Sequence, residues 1–447
     1  MAVLRAFRPL RYNPTAVGDL PAVVAPPYDV ISAAQRAALH ARSEYNVVRL
    51  ILNAAADPYA AAAERLQAWR RDGVLVRDAH PSLGYHIEDF PLRDGSRRRR
   101  EGILGIVRLE PFASGRIRPH ERTFARAKED RMRLLRACRA NLSPIFSLFP
   151  NQMGLFDPLR QWAQTRRPDM ALSDDAGVHH RLWLVTDPAS IAATTARLAD
   201  ETLFIADGHH RYETAVSYAA EQRTSGNSDP EAPHNFVLMY LTSMSHPGLV
   251  ILPTHRVLSA ANGNTAAACM ERLRPHFRLT AFTRMARAEF RHYLRKSAPP
   301  GSFGVVPAGS DHLYVATLTD AAALDTYAAE VAPVLRQVDV TVLDSVVLRG
   351  LLGIDCTAAA HDGRLIYTHD EDSALQAVEQ GAAVAFLMNA PRIEDVQAVC
   401  LAGETMPQKS TYFYPKLLTG LVFHPLDEEP QPSARVAGVP DSASAAK

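Results

Sequence analysis

Cysteine is scarce in this sequence. Cys138, Cys269, Cys356 and Cys400 lie far apart and form no CxxC pair. That spacing argues against a disulfide framework or a thiolate zinc site and indicates reduced thiols in a cytosol. Net charge is nearly absent: 49 Lys and Arg stand against 48 Asp and Glu, a formal +1. No global field directs the chain to nucleic acid or to an anionic membrane surface. Long apolar runs are missing as well, since none approaches the roughly 20 residues that span a bilayer. The N-terminal stretch from Met1 to Pro9 lacks the apolar segment of a signal peptide. The expectation is a cytoplasmic protein without a membrane partner. What is present, 47% hydrophobic and 22% charged residues, is ordinary globular composition, and 447 residues allow two or three domains.

Against this background six residues stand out: Ala206-Asp207-Gly208-His209-His210-Arg211. They follow Thr202-Leu203-Phe204-Ile205, apolar and branched like a buried strand, and precede Tyr212 to Ala220, whose apolar spacing suits a helix. A carboxylate, a glycine, two imidazoles and a guanidinium thus share a strand-to-helix turn. Free backbone N–H groups at a helix N-terminus can hold an anion. Gly208 permits close backbone approach, and Arg211 offers a planar fork matched to phosphate. Singly, each has a plain structural explanation, Asp207 as a helix cap and the histidines as solvated side chains. Together they read as a site.

Further polar clusters lie on alternating elements. Pro26-Pro27 stiffens a loop that holds Asp29 and Ser32 ahead of a helix starting near Ala33. Tyr45 to Leu52 reads as a strand, and Asp57-Pro58 opens an alanine-rich helix that Gly73 ends. Leu83 to Ile87 and Ile103 to Leu109 read as a hairpin, with Arg97 to Arg100 as its solvated tip. His120 and Glu121 precede a charged helix on which Lys128 and Arg131, three apart, share one face and are placed to reach a phosphate. Strand and helix alternate between Arg181 and Ala220, which sets the Asp207 turn at the carboxyl end of a strand, where ligands gather in open α/β sheets. His255-Arg256 ends an apolar run with a second His-Arg pair. After Gly363 a strand, a helix, a strand and a helix follow in turn. Met406 to Lys416 then arranges Lys409, Ser410, Thr411 and Lys416 around a proline turn as an anion cradle, without the glycines of a Walker A loop. The fold class expected is mixed, α/β to α+β. Residues 1–260 form a lobe with the Asp207 turn, residues 261–427 a second lobe with the Met406–Lys416 loop, and residues 428–447 a disordered tail.

Phe7-Arg8-Pro9, Val24 to Val30, Asn46 to Leu50, Pro119-His120-Glu121, Asn141 to Ile145, Ala206 to Arg211, Leu252 to Arg256 and Met406 to Lys416, in this order, resemble the DUF1015 family of bacterial and archaeal proteins, up to about residue 425. The element Asp207 to Arg211 is also similar to the signature of the ParB/sulfiredoxin-like superfamily, which includes CTP-binding partition proteins and free L-serine kinases. This second resemblance implies a ParB/sulfiredoxin-like core elaborated by large insertions and a C-terminal βαβα segment. It also makes Asp207 a catalytic or Mg²⁺-binding carboxylate, with His209 beside it and Gly208, His210 and Arg211 on phosphate.

The leading expectation is phosphoryl transfer from ATP or ADP, with CTP as a third nucleotide, to a small hydroxyl substrate, foremost L-serine. Mg²⁺ would sit on Asp207, with Asp29 or Glu121 as the second carboxylate. Lys409 and Lys416 would meet developing charge, and His120, Lys128, Arg131, His255, Arg256, Ser410 and Thr411 would support the phosphates. The alternatives are a nucleotide-binding regulator without turnover and a phosphatase using the same site in reverse. A metal-dependent hydrolase on His209, His210 and His255 is weaker, because adjacent histidines diverge and no HExxH spacing is present. Neutral charge and the lack of a helix-turn-helix pattern speak against nucleic acid. The oligomeric state is left open.

Overall fold

The computed structural model describes residues 3–150, 154–260, 265–320 and 322–427. The tail expected at 428–447 lies outside the described residues. Nine strands form the larger sheet: β1 (Leu4–Arg5), β2 (Leu83–Pro91), β3 (Arg97–Arg108), β4 (Ile117–Arg118), β5 (Ile145–Phe149), β6 (Met170–Ser173), β7 (His179–Val185), β8 (Leu203–Asp207) and β9 (Phe236–Ser243). Their order is β4-β8-β5-β9-β3-β2-β7-β6, with β1 on β3. Only the β8–β4 and β9–β5 pairings are parallel. The Asp207 turn does end a strand, as expected, but that strand runs antiparallel to β5 rather than in an open parallel sheet.

A second, antiparallel sheet of six strands contains β11 (His255–Ser259), β12 (Phe277–Thr283), β13 (Ser302–Pro307), β14 (His312–Leu318), β15 (Leu365–Thr368) and β16 (Ala382–Leu387), in the order β12-β14-β13-β16-β11-β15. The mixed α/β class is therefore observed. A continuous apolar core joins the two sheets, running from Phe146 and Tyr240 to Phe303 and Val384 through Phe413 and Leu418. No helix among the described residues is long and apolar enough to cross a membrane.

Local chemistry accounts for most boundaries. Helix α1 (Ala33–Arg42) starts at Ser32, whose hydroxyl accepts the Gln35 N–H while the Gln35 side chain returns to the Ser32 N–H. Helix α2 (Pro58–Arg71) is capped by Asp57. Two expectations are corrected. The strand expected over Tyr45 to Leu52 is a helical turn, Val48–Ile51. The Asn46 side chain forces it, donating to the carbonyls of Ala22 and Val24 and accepting the Val48 N–H. A short apolar run does not distinguish the two states. The arginines read as a solvated tip belong to β3; Arg97 to Arg99 are exposed as expected, but Arg100 is fully buried opposite Glu88.

The end of the chain returns to earlier segments outside the two large sheets. β17 (Tyr412–Tyr414) pairs with β10 (Val250–Leu252), Thr419 bonds Ala25, and Phe423 bonds Leu10. This return brings Lys416 to Asp207.

Candidate active site

Asp207 closes β8, and Gly208 leads into helix α6 (His209–Thr224) with φ +94°. The glycine is needed twice. L side chains are strained at that φ, and a Cβ there would stand 2.9 Å from Arg211 Nη2. Arg211 therefore folds back over the turn, donating from Nη2 to Asp207 Oδ2 at 2.9 Å and from Nη1 to the Pro144 carbonyl at 2.5 Å. Asp207 Oδ1 accepts from Lys416 Nζ. Burial pushes the Asp207 carboxyl up, but Lys416 and Arg211 outweigh burial and hold it well below the usual carboxylate range. For Lys416 burial acts downward, and Asp207 and then Asp29 overcome it and raise the ammonium. The same ammonium lies 4.6 Å from the Tyr412 ring centroid.

A second buried pair places Lys416. Arg100 donates from Nε to Glu88 Oε2 at 2.7 Å, and from Nη1 and Nη2 to the carbonyls of Tyr414 and Pro415 at 3.2 and 2.8 Å. The two residues just before Lys416 are thus fixed to β3.

Two imidazoles stand behind the turn. His209 Nε2 accepts the His120 backbone N–H at 3.2 Å, so its own proton sits on Nδ1. Burial, reinforced by His120, takes His209 down to about 3. His120 is fully buried, with Nδ1 2.6 Å from the Ile205 carbonyl and Nε2 2.7 Å from Thr411 Oγ1. Because a carbonyl can only accept, Nδ1 donates. Glu121 Oε1 lies 3.5 Å from Thr411 Oγ1 and 3.6 Å from His120 Nε2. Burial raises the Glu121 carboxyl, and His120, hydrogen-bonded and in charge, brings it down to about 2. His210 Nε2 accepts the Phe124 N–H at 2.9 Å and its ring stacks on Phe124; burial lowers its pKa.

Asp207, Lys416, Glu121 and the residues of the turn line one cleft of about 600 Å³, within the range of small-molecule sites. Among the expected residues it brings together Asp29, Glu121, Asp207, Gly208, His209, His210, Arg211, Lys409, Thr411 and Lys416. Segments near residues 29, 121, 207 and 409 therefore converge. Asp29 and Lys409 are exposed in it, and Lys409 adopts φ +57°.

Six expected residues lie elsewhere, each held by other partners within the fold. His120 is behind the cleft wall. Ser410, buried, donates to the Pro407 carbonyl of its own loop. Lys128 pairs with Glu213 at 2.7 Å. Arg131 lies over Tyr28, 4.0 Å from its ring centroid, and pairs with Asp130. His255 Nδ1 accepts the Met388 N–H at 3.0 Å, and Arg256 pairs with Asp344 at 3.3 Å beside the second sheet. His255 is thus absent from the cleft of His209 and His210, which removes the basis of the three-histidine hydrolase. Mg²⁺ on Asp207 would meet a carboxylate whose two oxygens are taken by Lys416 and Arg211. Asp29, which makes no hydrogen bond among the described residues, and Glu121 are the cleft carboxylates with capacity left, a donor set that suits Mg²⁺ alongside phosphate oxygens.

Sequence reasoning missed Tyr28, Tyr367, His369 and Tyr412 in the cleft wall. Tyr28 and Tyr412 sit inside motifs already singled out and were legible by neighbourhood. Tyr367 and His369 carry no local signal.

A model of the family described as "Protein of unknown function (DUF1015)" matches residues 4–341. None of the curated proteins matches the sequence. Among solved structures the chain is similar to a free serine kinase in complex with ADP, at 12% identity over 67% of this chain and 84% of that one, TM-score 0.35. It is similar to a conserved hypothetical protein from Pyrococcus furiosus, at 12% identity over 68% and 89%, TM-score 0.33. SbnI with a C-terminal truncation from Staphylococcus aureus matches at 13% identity over 72% and 87%, TM-score 0.34.

Proposed function

We propose that this chain, which belongs to the DUF1015 family, is a nucleotide-dependent phosphotransferase acting on a small hydroxyl compound, with L-serine the leading substrate. One observation carries this reading. A single cleft gathers carboxylates from three distant segments, Asp29, Glu121 and Asp207, with Lys409, Lys416 and the start of α6. Phosphoryl transfer asks a protein for positioning and charge stabilisation more than for covalent participation. The first N–H groups of α6 hold a phosphate. Lys416, kept charged and aimed by Asp207, meets the charge that develops on transfer. Asp29, solvent-facing and unpaired, takes the proton of the substrate hydroxyl. Mg²⁺ bound with the nucleotide would neutralise phosphate charge, and Glu121 is the carboxylate left to hold it.

Incubation of the purified protein with Mg²⁺, L-serine and either ATP or ADP tests this, with O-phosphoserine measured by mass spectrometry. Product with wild type and its loss in Asp29→Asn are expected. Tight nucleotide binding with no product from any small hydroxyl compound would leave a binding regulator in place of an enzyme.

A further inference from the structure

We propose a buried site for a divalent transition-metal ion, of the zinc class, on His86, Glu88 and His180, separate from the Asp207 cleft. His86 and Glu88 are two residues apart on β2 and so share a face, and His180 on β7 stands opposite Glu88 in register. One ligand atom from each residue lies within 4.8 Å of the others. His86 Nε2 is 3.2 Å from His180 Nδ1, and His180 Nδ1 is 3.8 Å from Glu88 Oε1. Tetrahedral ligands at about 2.0–2.1 Å from Zn²⁺ stand roughly 3.4 Å apart, so shifts on the order of an ångström close the set on an ion.

Three further observations favour an ion there. All three residues are at most 2% exposed, and within that dry cluster Glu88 Oε1 and His86 Nδ1 have no hydrogen-bond partner. Buried polar atoms are ordinarily satisfied. For two of the three ligands, His180 and Glu88, the outer groups are those that orient metal ligands. His180 Nε2 faces Asp174 Oδ2 at 3.4 Å, which leaves Nδ1 as a lone pair, and Glu88 Oε2 is held by Arg100 and by the Tyr240 hydroxyl at 3.3 Å. Glu88 and Asp174 together exceed Arg100 by one negative charge. An ion there would tie β2 to β7 directly behind the Glu88–Arg100 pair.

The test uses tag-free, full-length protein stripped with chelator, reloaded with Zn²⁺ or Co²⁺, desalted and analysed by elemental mass spectrometry. One ion per chain is expected in wild type and in Asp207→Asn, with tetrahedral visible absorption for Co²⁺. His180→Asn should retain none, and Asp174→Asn should bind about 10- to 100-fold more weakly. Wild type that retains no ion overturns the site, as does equal retention by wild type and Asp174→Asn. These two comparisons decide the matter even where His180→Asn fails to fold.

Discussion

Asp207 shows what a single residue does here. Its carboxylate is clamped between Lys416 and Arg211 with 15% of the side chain exposed. Removing that charge leaves two cations facing each other, so Asp207→Asn is expected to destabilise the protein by the lower end of the roughly 3–5 kcal/mol seen for broken buried pairs, read from urea unfolding. Gly208→Ala should cost about 1–3 kcal/mol through strain at a positive φ and push Arg211 off Asp207, with nucleotide affinity falling in parallel in a binding titration. This turn was legible in the sequence because its residues are contiguous and its internal ion pair, Asp207 with Arg211, spans only four positions. Lys128 and Arg131 were not, because their partners Glu213 and Tyr28 come from remote segments. Spacing on one helix cannot report what lies opposite it.

At the scale of elements, the unit that matters is β3 with the Tyr414–Lys416 segment that crosses it. Arg100→Met leaves Glu88 uncompensated in a dry site and is expected to cost about 3–5 kcal/mol. Compared in chelator-stripped protein, where no ion occupies the His86–Glu88–His180 cluster, adding Glu88→Leu should recover most of that loss, since apolar replacement of a whole buried pair is often neutral. The carbonyls of Tyr414 and Pro415 would still lack their donor. The stripped double variant is therefore expected to melt near stripped wild type yet bind nucleotide at least about tenfold more weakly, and full binding would show that Arg100 does not position Lys416. Periodicity exposed most of these elements, including the hairpin, the helix after Asp57-Pro58 and the alternation after Gly363. It failed where a side chain redirects the backbone, as Asn46 does at Val48, and where a charged residue is buried by its partner, as Arg100 is by Glu88.

Across the whole molecule, one measurable consequence is a shared response to acid. His86, His209, His255 and His424 are buried, and burial pushes them down to about 3, 3, 4 and 4, against about 6.5 in an unfolded chain. Below pH 6.5 the unfolded chain binds protons at these rings that the folded chain refuses, so stability falls by up to about 1.4 kcal/mol per ring per pH unit. Glu121, depressed to about 2, adds a loss in the same direction below about pH 4.3. Melting temperature should hold near pH 7–8 and drop steeply between pH 6.5 and 5, and a flat profile would show that these rings titrate freely. Assembly at this scale was the least legible part of the sequence. Asp29, Glu121, Asp207 and Lys409 meet only because the Tyr412–Tyr414 strand returns to pair with Val250–Leu252, a long-range pairing that leaves no local pattern. The measurement that bears most directly on the cleft's role is calorimetric titration of Mg²⁺-ADP and Mg²⁺-ATP into wild type and Lys416→Met. One nucleotide per chain, with at least about tenfold weaker binding in the variant, is the predicted result; no binding to wild type, or equal binding to both proteins, would contradict it.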